Sequence, residues 1–149
     1  MEKVIYFDMD GTLANFYGVE NWLPRIRRYD ATPYTEAKPL FNFSRFARVL
    51  HKMQRNGYKI GIVSWLSKDG SNATFNENIT NAKMAWLKKH LPSVEWDEII
   101  VTLHGTPKSE VVTFKGGVLF DDELNNRIEW GEGAFDVDNI IDTMLSLLD

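Results

Sequence analysis

Val4-Ile5-Tyr6-Phe7-Asp8-Met9-Asp10-Gly11-Thr12 is the stretch on which the reading of the fold turns. Its first four residues are β-branched or aromatic, with no polar alternation, as expected of a strand covered on both faces of a parallel sheet. The run stops abruptly at two acids one residue apart, followed by Gly11, which permits a tight turn. A second buried strand is expected over Lys59 to Ser64 and a third over Glu98 to Thr102. A fourth, Val118-Leu119-Phe120, also ends in acids, Asp121 and Asp122, and Ala134 to Val137 reads as a weak fifth.

Between these runs the period changes. Phe43, Phe46, Ala47, Leu50 and Met53 fall on one stripe of a 3.6-residue helix that Asn56-Gly57 stops. A second helix is expected from about Ile79 to His90, after a mostly polar stretch from Ser67 to Asn78 and before Leu91-Pro92. A short helix follows from about Leu124 to Trp130, and Ile140, Ile141, Met144, Leu145 and Leu148 form the stripe of a C-terminal one. Strands alternating with helices in this way predict a three-layer α/β domain with a mostly parallel sheet. The segment from Asn15 to Leu40 breaks the pattern: it is rich in aromatics, contains Pro24, Pro33 and Pro39 and the basic cluster Arg25, Arg27, Arg28, and has no clear period. It reads as an insertion after the first strand, a small cap or lid with a helical turn or two.

The chain has 149 residues, 44% hydrophobic and 26% charged, enough for one core and too few for two ordinary domains, so a single domain over 1–149 with a cap at about 15–40 is expected. The net charge of −4 is modest and mixed in sign, which excludes an electrostatic grip on duplex nucleic acid or on an anionic membrane. Without cysteine there is no disulfide and no thiolate metal site. The apolar run before Asp8 is too short for a secretory leader, and no stretch approaches the roughly 18 apolar residues of a membrane span. Cytoplasm is the expected compartment.

In open α/β sheets, ligands bind beyond the carboxyl ends of the strands, and the polar residues there are Asp8 and Asp10, Ser64, Thr102 with the loop to Lys108, and Asp121 with Asp122. Carboxylates converging on one edge repel one another, and a hard divalent cation with oxygen ligands resolves that. Such an edge suits phosphoryl transfer, which is mostly positioning and charge neutralisation. Asp8 is the candidate nucleophile, forming an aspartyl-phosphate, and Asp10 the acid and then base. Ser64 and Lys108 are the candidates for binding the transferring group, Lys115 being a less favoured choice of lysine. Mg²⁺ would be held by the side chains of Asp8 and one of the terminal acids and by the Asp10 carbonyl. The premise is geometric: the first and last acidic clusters must lie within a few ångströms of each other.

Asp8-Met9-Asp10-Gly11-Thr12-Leu13-Ala14 resembles the first motif of the haloacid dehalogenase superfamily of phosphohydrolases, Ile62-Val63-Ser64 the second, Lys108 the third and Leu119-Phe120-Asp121-Asp122 the fourth, in the family's order across nearly the whole chain. Pro107-Lys108-Ser109-Glu110-Val111-Val112 with Val118 to Glu123 is similar to the 5′(3′)-deoxyribonucleotidase branch. The resemblance implies a Rossmann-like sheet, Mg²⁺ as cofactor and a small phosphate monoester as substrate, a nucleoside monophosphate in the nearest branch. It also implies Asp122 as the direct metal ligand with Asp121 behind it, and an acid at Asp10 that fits phosphatases rather than dehalogenases. Gly11, Thr12 and Trp65 are the substrate-binding candidates, with Phe16, Tyr17, Trp22, Tyr29 and Tyr34 available to stack on a base or sugar and Arg25, Arg27 or Arg28 to steer phosphate. Left open are another phosphorylated substrate (a sugar phosphate, a polynucleotide end or a protein) and a non-catalytic, receiver-like phosphate-binding domain.

Overall fold

The computed structural model describes residues 1–69 and 72–149. β1 (Val4–Phe7) is buried at every position and lies at the centre of a five-stranded sheet of order β3-β2-β1-β4-β5, where β2 is Lys59–Trp65, β3 Glu98–Thr102, β4 Val118–Phe120 and β5 Ala134–Phe135. Every pairing between these strands is parallel. The burial of β1, of β4 and of β2 from Ile60 to Ser64 follows from this topology, because helices cover both faces of a parallel sheet.

Side-chain alternation divides the core into two layers. Ile5, Phe7, Ile60, Ile62, Val118 and Phe120 point to one face, where α3 (Phe43–Arg55) supplies Phe46, Leu50 and Met53 and α7 (Ile140–Ser146) supplies Ile140 and Met144. Val4, Tyr6 and Leu119 point to the other, against Val111 and Val112 at the end of α5 (Lys108–Val111) and Trp130 of α6 (Leu124–Trp130). The sheet is tight at two places where backbone meets side chain. A Cβ on Gly61 would fall 2.5 Å from the Tyr6 ring, and one on Gly117 would fall 2.3 Å from the Val4 carbonyl oxygen, so both positions need the missing side chain.

The segment between β1 and α3 forms a 3-10 turn at Phe16–Gly18 and two short helices, α1 (Trp22–Arg27) and α2 (Thr32–Glu36). It has a cluster of its own, in which Phe16, Ile26 and Tyr34 pack on Phe75 and Ile79 of α4 (Ala73–His90). That packing explains a departure from the sequence reading. The helix expected to start near Ile79 starts at Ala73, because the Asn72 side chain accepts a hydrogen bond from the Phe75 amide at 2.8 Å and the polar first turns carry two apolar residues that the segment covers. Gly70 and Ser71, within the stretch expected to be polar and irregular, lie outside the described residues. α5, unexpected as a helix, is a single turn, too short to show a period. β5 ends at Phe135 rather than Val137, and α7 ends at Ser146 although Leu148 continues its apolar stripe against the core.

Candidate active site

Strands are added to one side of β1 as far as β3 and then to the other side from β4, and at this switch point between β1 and β4 the strand-end loops leave a crevice. The register pairs Phe7 with Phe120, which makes Asp8 and Asp121 the next residues on neighbouring strands; the Asp8 amide extends the ladder to the Phe120 carbonyl at 2.9 Å. Past Asp8 the chain folds back on itself. The amides of Thr12, Leu13 and Ala14 all donate to the Met9 carbonyl, and the Gly11 amide donates to Ala14. Gly11 has φ +80°, and a Cβ there would fall 2.4 Å from the Asp122 Oδ2, so the bare glycine lets the two loops close. As a result Asp8, Asp121 and Asp122 each offer a carboxylate oxygen within 4.8 Å of the others.

A lysine reaches this edge from each face of the sheet. Lys108, at the start of α5 and 2% exposed, donates to Asp8 Oδ1 at 3.0 Å and to Asp121 Oδ2 at 2.7 Å. Burial works against its ammonium, but the Asp8 and Asp121 carboxylates outweigh that and raise its pKa. Lys83, on α4, donates to Asp10 Oδ2 at 3.1 Å, to Ser64 Oγ at 2.6 Å and to the Trp65 carbonyl at 2.7 Å.

Sequence reasoning passed over Lys83 because a lysine inside a polar helix reads as solvated. Its spacing from Ile79, Trp86 and Leu87 places it on the buried stripe, and that was the available signal. Lys115, the less favoured lysine, lies away from this edge and donates to the Ser109 and Glu110 carbonyls at the end of α5.

The carboxylates have unequal surroundings. Asp121 is fully buried and already satisfied: Oδ2 accepts from Lys108 and Asn126, and Oδ1 from the Glu123 amide. Asp122 Oδ1 and Asp8 Oδ2 both face the Thr12 hydroxyl at 3.2 Å, and one hydroxyl has one proton to donate. Burial, with the Asp8 charge next, pushes Asp122 up to about 8 and Asp121 up to about 6. Burial likewise raises the Asp10 carboxyl, with Lys83 opposing. If all four carboxyls were ionised they would outnumber the two ammonium groups by two, in a place where burial penalises charge, and the raised Asp10, Asp121 and Asp122 pKa values are the response to that crowding. The donor set and the crowding fit a hard divalent cation bound by oxygens. Asp8 and Asp122 are the residues with ligand capacity to spare, and Asp121 is committed to holding Lys108 and Asn126.

Above Asp8, Asp10 and Lys108 opens a cleft walled by aromatic side chains: Phe16, Tyr17, Trp22 and Tyr34 from the inserted segment, Trp65 from the end of β2 and His104 from the loop after β3. Phe16 stacks on Tyr34 with centroids 4.4 Å apart, and Trp65 is fixed by donating from Nε1 to the Thr106 carbonyl at 2.8 Å. The predicted residues divide accordingly. Asp8, Asp10, Lys108 and Trp65 line the cleft. Ser64 is buried below it on Lys83, and Gly11 and Thr12 lie against Asp122 instead. Tyr29 packs edge-on against Phe75 outside the cleft. Arg25 is bound within the inserted segment to Asp30, Thr32 and Glu36, which makes it a brace there rather than a guide for phosphate. Arg27 and Arg28 are exposed on that segment, outside the lining of the cleft.

No family model matches the chain, and a search of curated proteins found no match. Among solved structures, the chain is similar to D,D-heptose 1,7-bisphosphate phosphatase from Burkholderia thailandensis, with a TM-score of 0.62 and 13% identity over 99% of this chain and 99% of that one. At that identity the likeness is one of fold: an α/β domain with a parallel sheet of the Rossmann-like kind. Among the described residues, no helix is long and apolar enough to cross a membrane.

Proposed function

We propose that this chain is a Mg²⁺-dependent phosphomonoesterase of the haloacid dehalogenase type, working through an aspartyl-phosphate on Asp8. The observation that carries the reading is the Asp8 carboxylate at the floor of an aromatic cleft, held by Lys108 at 3.0 Å, with Asp121 and Asp122 beside it and Asp10 two residues on. The fold shared with a phosphatase supports it.

In the first step an Asp8 oxygen attacks phosphorus, the ester P–O bond breaks, and the departing oxygen takes the proton held by the Asp10 carboxyl, whose pKa burial raises. In the second, the Asp10 carboxylate takes a proton from water, the water oxygen attacks phosphorus, and the bond to Asp8 breaks. Inorganic phosphate leaves, and both aspartates return to their starting forms. Lys108 spends two of its protons on Asp8 and Asp121 and has a third for a phosphoryl oxygen. Mg²⁺ bound by the Asp8 and Asp122 side chains and the Asp10 carbonyl, with Asp121 behind them, would supply the positive charge that lets a carboxylate approach a phosphate. The substrate is a small phosphate monoester held under the inserted segment, which acts as a cap on the single domain.

The aromatic walls favour a flat group beyond the phosphate, and a nucleoside monophosphate is the first choice. A sugar phosphate is the second reading, supported by the substrate in the name of the structural neighbour. Phosphate release from a panel of nucleoside monophosphates and sugar phosphates, with Mg²⁺ and with EDTA, decides between them. Hydrolysis of nucleotides at least about tenfold better in kcat/KM, equivalent to roughly 1.4 kcal/mol of transition-state binding, is expected. No preference would remove the nucleotidase reading, and no turnover of any member would remove the phosphatase.

Metal binding has its own readout. Saturating Mg²⁺ is expected to raise the unfolding temperature of the protein by several degrees, since an ion at about 100 times its Kd adds roughly 2.7 kcal/mol. Asp122→Asn is expected to remove that rise in differential scanning fluorimetry. An undiminished rise in the variant would exclude Asp122 as a ligand.

A further inference from the structure

Lys83 is a long side chain only 1% exposed, on a helical stripe otherwise made of Phe75, Ile79, Trp86 and Leu87. An ammonium taken out of water costs several kcal/mol unless all its protons find acceptors, and an apolar side chain would fill such a place without that cost. An ammonium has three protons, and the structure gives it three acceptors: Asp10 Oδ2 at 3.1 Å, Ser64 Oγ at 2.6 Å and the Trp65 carbonyl at 2.7 Å. No proton remains for a phosphate.

The constraint on its neighbours is sharper than that on Lys83 itself. A serine oxygen that accepts from an ammonium must direct its own O–H elsewhere, and a carboxyl held through Oδ2 must exchange protons through Oδ1. Lys83 also lies under the Tyr34 ring of α2, 5.1 Å from its centroid, so the same group joins the inserted segment to the end of β2 and to the loop after β1.

We propose that Lys83 is a positioning residue: by holding Asp10 Oδ2 against the buried Ser64 oxygen and the Trp65 carbonyl, it directs the free Asp10 oxygen to the leaving group. The inference rests on the phosphatase reading and deepens it. Lys108 attends the nucleophile from one face of the sheet, and Lys83 attends the proton donor from the other.

The test compares phenyl phosphate with dinitrophenyl phosphate, which share an aryl ring but differ in how much the departing oxygen needs a proton. The quantity read is kcat/KM for phenol release, which covers only the steps through departure of the leaving group. Lys83→Met is expected to lower it by roughly 100-fold on phenyl phosphate, the scale of a lost general acid, and by less than about tenfold on dinitrophenyl phosphate. With the second substrate, intact-mass spectrometry is expected to show phosphorylated protein accumulating in the variant, because the water-activating role of Asp10 is impaired as well.

Equal losses on the two substrates, with no accumulation, would make Lys83 merely structural and overturn the proposal. Should Lys83→Met alone fail to fold, the Asp10→Asn background, which removes the orphaned charge, keeps the comparison open. There Lys83→Met is expected to cost less than about threefold on dinitrophenyl phosphate, and a full multiplicative loss would again overturn the proposal. Wild-type protein that hydrolyses neither ester in Mg²⁺ would overturn the phosphatase reading itself, a result distinct from any pattern among active variants.

Discussion

Asp8→Asn is expected to lower phosphate release by on the order of 10⁴-fold or more, with no phosphorylated protein detectable after a quench. An amide of the same shape keeps the turn after β1 and can still meet the Thr12 hydroxyl and Lys108, but it cannot form the bond to phosphorus. The loss should therefore appear in kcat rather than in folding. The variant removes the charge that works against ionisation of Asp121 and Asp122, and Lys108 keeps Asp121 as its partner, so its stability in EDTA should be unchanged or higher. The discriminating measurement is single-turnover release from an aryl phosphate alongside urea unfolding. A folded variant that retains turnover would remove the covalent mechanism and leave Asp8 as a metal ligand at most.

Lys108→Met should produce the opposite pattern, a large loss in stability together with a loss in activity. Lys108 is the positive charge between Asp8 and Asp121, at 3.0 and 2.7 Å, and all three side chains are at most 10% exposed. Methionine fills much of the volume and leaves two buried carboxylates with no cation between them. Breaking a buried pair from one side in this way costs roughly 3–5 kcal/mol. Urea unfolding in EDTA should show that loss, and saturating Mg²⁺ should restore a larger share of stability in the variant than it adds to the wild type, since the metal then supplies the missing charge. Wild-type stability in EDTA would show that Asp8 and Asp121 are not both charged around Lys108. Neutral loss of the lysine would also undercut the electrostatic basis of the site.

Much of the architecture was legible along the chain because parallel strands buried on both faces leave a plain signature. Val4–Phe7, Glu98–Thr102 and Val118–Phe120 were bounded as observed, and α6 likewise. Weaker reading came where local pattern and tertiary packing diverge. The first turns of α4 are polar, and only the inserted segment lying on Phe75 and Ile79 makes them worth ordering. That segment has no period because its three short helical pieces bury residues against one another and α4, not along a single stripe. Arg25 looked like a phosphate guide by charge, but Asp30 and Glu36 lie near enough to claim it.

Taken alone, the order of residues determined which groups stand at strand ends: Asp8 and Asp10, Ser64, and Asp121 with Asp122, each directly after an apolar run that can only be a covered strand. Strand order and register are long-range quantities that no local spacing encodes, and they decided that β1 and β4 are neighbours, so that Asp8 meets Asp121 instead of facing it across the sheet. Folding likewise decided which lysines matter. Lys83 and Lys108 differ little from their solvated counterparts as letters, and become site residues only because helices on opposite faces bring them, buried, to the same edge.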